Sequence, residues 1–169
     1  ISYTHTQCSP HLNTNKINTS ESLIEELKYL SVDKDGNEYK IEAKKGNIDK
    51  ENPDIIYLEN VNAIILLKDA DFISINSRFA KYNTKSFDTL FNNSVSVDYG
   101  EHILKSDFLD LSFENNLVSI YDNVRYLSGI SSLKADKAEI DMLSKKTRIF
   151  MKDPNMKVQI NNIPKNGNN

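Results

Sequence analysis

Apolar positions along this chain recur in a pattern that neither a plain helix nor a plain strand produces. The run Ile41-Glu42-Ala43-Lys44-Lys45-Gly46-Asn47-Ile48-Asp49 returns as Ile75 to Asn83, as Leu104 to Ser112 and as Leu133 to Asp141, at offsets of 34, 29 and 29 residues. Each copy reads aliphatic, any, Ala or Ser, any, any, Gly/Ala/Leu, any, apolar, then Asp/Asn/Ser, which is the signature of an internal repeat. A second half keeps step. Tyr57, Phe91, Ile120 and Ile149 share the same offsets, and so do Val61, Val95 and Val124. In the fourth unit that last column falls on Asp153, directly before Pro154, where the strand pattern stops.

Each unit therefore predicts two strands joined by a polar turn, at Lys50–Pro53, Thr84–Ser86, Glu114–Asn116 and Ser144–Lys145. Parity inside the repeat says more. Ile41 and Ala43 share one face, and Gly46 and Ile48 share one face, but the two pairs stand an odd distance apart. Side chains alternate with period two, so a straight strand cannot bury both pairs. A bulge or bend between positions 43 and 46, repeated in every unit, turns both pairs inward. Such bends in register wrap a meander into a curved, twisted, all-β shell.

The ends of the chain read differently. Residues 1–26 are predicted to be a polar N-terminal arm, Asn- and Thr-rich at first. Ser22-Leu23-Ile24-Glu25 fits a capping box, and Leu23, Ile24 and Leu27 have helical spacing, so a short helix over 21–26 is expected. From Leu27 onward a strand is favoured, because Lys34-Asp35-Gly36-Asn37 is a strong hairpin turn leading to Glu38–Ala43. The β domain is predicted over 27–160, ending in a short strand from Met156 to Ile160. A mobile polar tail, 161–169, follows.

Composition narrows the function. The 169 residues suit one domain with a real core, and the net charge of -3 offers no basic surface for nucleic acid. The single cysteine, Cys8, excludes an intramolecular disulfide framework. His5, Cys8 and His11 are three ligand types within seven residues, but structural zinc sites need four ligands, and no metal site is expected. Asp33-Lys34-Asp35-Gly36-Asn37 resembles the start of a calcium loop, but its glycine is fourth rather than sixth, and Lys44 stands where the bidentate Glu belongs. His102 has no nucleophile motif beside it, and no phosphate-binding glycine loop is present. No cofactor is implied. The chain reads as a binding protein, not an enzyme.

The candidate functional surface is the inner face of the repeat. Its columns are Ile41/Ile75/Leu104/Leu133, Ala43/Ser77/Ser106/Ala135, Gly46/Ala80/Leu109/Ala138, Ile48/Tyr82/Leu111/Ile140 and Tyr57/Phe91/Ile120/Ile149. Two columns hold mainly small residues, which leave an apolar trough unless neighbours fill it. Such a trough suits acyl chains, each buried methylene contributing ~0.8 kcal/mol. A packed core is the other reading, and both stay open from the pattern alone.

These residues resemble a known family. Gly36-Asn37-Glu38-Tyr39-Lys40-Ile41-Glu42-Ala43-Lys44-Lys45-Gly46, followed by Ile56-Tyr57-Leu58-Glu59-Asn60-Val61, is similar to the opening of LptC. Leu104 to Val124 and Leu133 to Met151 resemble the pattern shared by the wider LptA/LptC/OstA-like family, and the resemblance spans about Leu27 to Ile160. It implies a twisted open β-jellyroll in the periplasm, tethered to the inner membrane by an N-terminal helix upstream of Ile1. The implied role is in lipopolysaccharide export for outer-membrane biogenesis, with lipopolysaccharide held by its acyl chains in the groove. The implied partners are an LptB/F/G-type transporter near Leu27–Val32 and an LptA-type jellyroll at the edge formed by Thr147–Met151 and Lys157–Ile160. The groove candidates are Ile41, Ala43, Tyr57, Ile75, Ser77, Phe91, Leu104, Ser106, Ile120, Leu133, Ala135 and Ile149. The chain departs from the family at the glycine common before the valine of each second strand, which is Glu59, Asn93 and Asp122 here.

Overall fold

The computed structural model describes residues 23–32, 36–66, 72–129, 131–142, 144, 146–153, 155 and 158–162. Ten strands follow one another: β1 (Leu23–Val32), β2 (Glu38–Ile48), β3 (Ile55–Leu66), β4 (Phe72–Asn83), β5 (Thr89–Tyr99), β6 (His102–Ser112), β7 (Leu117–Leu127), β8 (Ser131–Asp141), β9 (Thr147–Phe150) and β10 (Gln159–Asn162). They form one antiparallel sheet in which each strand from β1 to β8 pairs with the next. β9 and β10 share the last edge. β9 lies along Lys137–Ile140 and β10 along Ser131–Lys134 of β8.

The bend that parity demands is present at one level throughout. On β2, β4, β6 and β8 the inward residues are Ala43 then Gly46, Ser77 then Ala80, Ser106 then Leu109, and Ala135 then Ala138. On the odd strands the backbone turns through left-handed residues at the same level: Glu26, Asn60, Asn93 with Ser94, and Asp122 with Asn123, all with φ between 52 and 63°. L-residues other than Asn and Asp pay about 1–2 kcal/mol there, and four of those six positions are Asn or Asp. β5 and β7 each carry one residue more than their neighbours at this point, and the register shifts there on both sides. The polar side chains at the β7 bulge tie it outward: Asn123 Nδ2 donates to Asp107, and Asp122 pairs with Lys152. The Lys152 N–H also donates to Asp136 at 2.7 Å, which pins the crossing from β9 to β10 at the bend.

Bending every strand lays the two halves of the sheet face to face. Tyr29, on the first half, meets Tyr82 and Phe87 from the second at ring-centroid distances of 5.3 and 6.2 Å. Tyr39 meets Phe113 edge-on at 5.3 Å. Side chains of both halves form one apolar cluster. The turns beyond Ile48 and Asn83 are closed by local polar caps. Asp49 Oδ1 accepts from the N–H groups of Glu51 and Asn52, and Asn83 Oδ1 from those of Lys85 and Ser86. Those backbone donors hold the Asp49 carboxyl below its usual range. Gly36, at φ 85°, serves the predicted β1–β2 hairpin, whose register runs from Val32↔Glu38 to Leu23↔Asn47.

Two boundaries differ from expectation. Leu23–Glu26 is strand, not helix: Ile24 is buried against Gly46, and Glu25 and Glu26 both face solvent. A bent strand moves its inward positions from i, i+2 to i, i+3, so Ile24 and Leu27 imitate one turn of a helix. β10 occupies Gln159–Asn162, so the sheet extends two residues into the segment read as a tail, while Met156 and Lys157 of the expected strand lie outside the described residues. The polar arm before Leu23, with His5, Cys8 and His11, and residues 163–169 lie outside the described residues.

Asn60 tests the bend. At φ 53° it carries the left-handed step of β3. Replacing Asn60 with Val is expected to lower unfolding free energy in urea by about 1–3 kcal/mol, whereas Asn60→Gly should change it by under ~1 kcal/mol.

Candidate functional site

Strand register arranges the inward residues in rows that cross the whole sheet. Just below the bend the row is Gly46, Leu58, Ala80, Phe91, Leu109, Ile120, Ala138 and Ile149. Just above it the row is Ala43, Val61, Ser77, Val95, Ser106, Val124 and Ala135. Small residues on the even strands, Leu109 on β6 excepted, alternate with Leu, Phe, Ile and Val on the odd ones. The small-residue columns therefore do not leave a continuous trough, because odd-strand side chains occupy the space beside each small residue. At Gly46 a Cβ would stand 3.0 Å from Leu27 Cδ1 and 3.4 Å from both Ile56 Cγ2 and Leu58 Cδ2. The interior is an apolar seam lined on both halves, with side chains interleaved.

The twelve groove candidates fall into three groups. Ile41, Ala43, Ile75, Ser77, Phe91, Ser106, Ile120 and Ala135 are buried in this seam. Leu104 and Leu133 are half-buried and pack against it. Tyr57 is 47% exposed and lies on the outer face, where its hydroxyl meets Asp49. The inward residue is Leu58, at 1% exposure, paired with Gly46 and Ala80. The cause is the bulge. Val61 matches Val95 at an offset of 34, but β5 carries one extra residue between Phe91 and Val95, so the partner of Phe91 on β3 sits 33 residues earlier. Ile149 is in register with Ala138, yet it is 40% exposed because β9 is an edge strand with no neighbour beyond.

Ser77 and Ser106 have a part that the repeat did not reveal. Their hydroxyls donate to the carbonyls of Phe79 and Phe108, at 2.8 and 3.0 Å, bridging the two residues across the bend. Buried hydroxyls need such partners. The sequence signal is the hydroxyl itself: Ser77 and Ser106 stand where the other two units carry Ala43 and Ala135. These two serines flank β5, the first strand with a bulge.

Burial thins toward the last strands. Leu133, Ile140, Met142 and Met151 are only half-buried against the core, and Ile149 and Ile160 are exposed. The seam thus opens at the β8–β9–β10 edge, while at the other side Ile24 and Leu27 on β1 close it. Both edges, β1 and β9/β10, are free of strand partners among the described residues. On the outer face Tyr57, Phe79 and Leu90 line a shallow concavity beside Leu23, Lys45 and Lys81. His102 lies at the other end of the fold, stacked between Tyr99 and Tyr126 with Nδ1 2.6 Å from the Tyr126 hydroxyl. On β6, burial and the neighbouring Asp88 raise the Asp110 carboxyl above its usual range.

A single sheet, bent at one level to enclose an apolar seam and open at both edges, defines an open β-jellyroll. The chain belongs to the LptC-related lipopolysaccharide-assembly family, whose sequence model matches residues 1–150. A search of curated protein sequences finds no match. Among solved structures the fold is similar to LptH, described as the LptA-homologous periplasmic component of the conserved lipopolysaccharide transport device from Pseudomonas aeruginosa. That likeness has a TM-score of 0.54 at 7% identity and covers 75% of this chain and 95% of LptH. Family membership and fold together support a role in lipopolysaccharide transport.

The corrected register has a direct consequence. Leu58→Ala should cost about 2–5 kcal/mol of unfolding free energy by removing a buried side chain from the seam. Tyr57→Ala, one position away, should cost under ~1 kcal/mol in the same denaturation experiment.

Proposed function

We propose that this chain is a non-catalytic carrier in lipopolysaccharide export: it takes the acyl chains between the two halves of its jellyroll and passes the lipid onward. In this reading the domain works in the periplasm, held at the inner membrane by a helix preceding Ile1. The β1 edge faces an LptB/F/G-type transporter, and the β9/β10 edge meets an LptA-type jellyroll. The observation that carries the proposal is the seam itself: an apolar interior between two half-sheets, closed under β1 and opening at the last edge.

Physics favours such an interior as a carrier. Strand-to-strand hydrogen bonds run within each half, so the halves are held to one another by apolar side-chain contact and by the bends. Apolar contact is non-directional, and an acyl chain entering the seam replaces contacts of the same kind. Each methylene buried contributes ~0.8 kcal/mol, so a few of them offset the loss of a side-chain contact. Two free edges suit strand addition, in which main-chain hydrogen bonds join one sheet to the next. The chain has no nucleotide-binding motif, so the energy for directed movement comes from another subunit.

A second reading has its own support. The alternation of small and large residues along each row fills the interior, as it does in a purely structural module with protein partners alone. Site-specific photocrosslinking to lipopolysaccharide separates the two. A photoreactive residue at Phe91, inside the seam, is expected to crosslink, and one at Tyr57, on the outer face, is not. Absence of a crosslink at Phe91 in a sample with native β-sheet circular dichroism establishes the structural module instead.

A further inference from the structure

Within the apolar seam, among the described residues, one buried side-chain polar atom has no hydrogen-bond partner. Tyr82 is 2% exposed, and its hydroxyl is buried without a hydrogen bond. It belongs to the repeat column Ile48/Tyr82/Leu111/Ile140, so the other levels place an aliphatic side chain where this one places a phenol. Strand register sets it between Ile56 and Thr89 on the second half of the sheet. Tyr29 reaches it from the first half, ring centroid to ring centroid 5.3 Å, and the Tyr29 hydroxyl is its polar neighbour without meeting hydrogen-bond geometry. Thr89 donates its hydroxyl to the Phe87 carbonyl at 3.1 Å, and its oxygen does not accept from the Tyr82 hydroxyl.

A hydroxyl left unsatisfied in an apolar interior is costly, and native proteins rarely keep one without a use. A phenylalanine would fill the same space. Burial raises the Tyr82 phenol above its ordinary range, so it stays protonated and can act as a donor. Its position, between the two half-sheets and beside a second phenol, is where a chain lying along the seam would pass.

We infer that Tyr82, with Tyr29 opposite, is a hydrogen-bonding subsite inside the seam for an oxygen carried on an acyl chain, so that the interior selects oxygen-bearing acyl chains over plain ones. This rests on the proposal that acyl chains occupy the seam. The acyl part of a lipopolysaccharide supplies suitable acceptors as 3-hydroxyl groups and as ester and amide carbonyls. A ligand that brings an acceptor satisfies the phenol, and the subsite favours the bound state over the free one.

The test compares wild type with Tyr82→Phe in two readouts, thermal unfolding of the free protein and binding of 3-hydroxymyristate, myristate and lipopolysaccharide by displacement of a fluorescent fatty acid. Because the free hydroxyl has no bond to lose, Tyr82→Phe should leave Tm unchanged or raise it. Wild type should prefer 3-hydroxymyristate over myristate by about three- to tenfold, the size of one hydrogen bond, and the variant should lose that preference. Its affinity for lipopolysaccharide should fall by a similar factor. A lowered Tm would mean that the hydroxyl is already bonded in the free protein. Either that result, an absent preference in wild type, or a preference that survives in the variant overturns the subsite while leaving the carrier role intact. Wild type that binds none of the three lipids overturns the carrier role itself.

Discussion

Everything in this fold depends on a single level at which every strand bends. An antiparallel sheet of ten strands with one apolar face would otherwise need a second layer to cover it. Here the sheet covers itself, because left-handed residues on the odd strands, facing a two-residue step between inward positions on the even strands, bend the chain at one level. The apolar face above the bend then meets the apolar face below it. The device is expensive in backbone strain, and the residues chosen reduce that cost: Asn60, Asn93, Asp122 and Asn123 are the types that tolerate the left-handed region best. The exceptions are Ser94, beside Asn93 at the β5 bulge, and Glu26 on β1, an edge strand where one side of the ladder is unconstrained.

The interior that results is chemically uniform and mechanically divided. Along each strand pair the ladder of main-chain bonds resists separation, whereas the halves meet through apolar and aromatic side chains such as Tyr29 against Tyr82 and Tyr39 against Phe113. The mostly small inward side chains of the even strands let the larger ones of the odd strands interleave across the seam. Polar groups inside are used sparingly. Ser77 and Ser106 bridge the bend through the Phe79 and Phe108 carbonyls, Thr89 bonds the Phe87 carbonyl, and Tyr82 stands apart as the hydroxyl without a local task.

The two edges are built differently, which gives the molecule a direction. β1 is a long strand that bends with the sheet and buries Ile24 and Leu27 against β2. The other edge is split into β9 and β10, with the crossing between them clamped at the bend by Lys152 to Asp122 and Asp136. The clamp is exposed, and its Lys152 ammonium is held charged by Asp122. Apolar groups thin out along this side, so the seam is shut under the first strand and accessible at the last.

The repeat alone determined the architecture: the strand count of the central meander, the polar turns, and the bend itself follow from parity, because a period-two strand cannot bury two pairs an odd distance apart. It also placed Ile41, Ala43, Ile75, Ser77, Phe91, Ser106, Ile120 and Ala135 inside. The tertiary structure decided what repeat arithmetic could not. The extra residue in β5 moved the inward position on β3 from Tyr57 to Leu58, since a bulge changes register without changing the spacing of the motifs around it. It converted the helical spacing of Ile24 and Leu27 into a bent strand, since both geometries bring i and i+3 to one face. And it showed that the small-residue columns are flanked by large ones, because which side chains fill a space depends on the neighbouring strand, and that neighbour is assigned by pairing rather than by order along the chain.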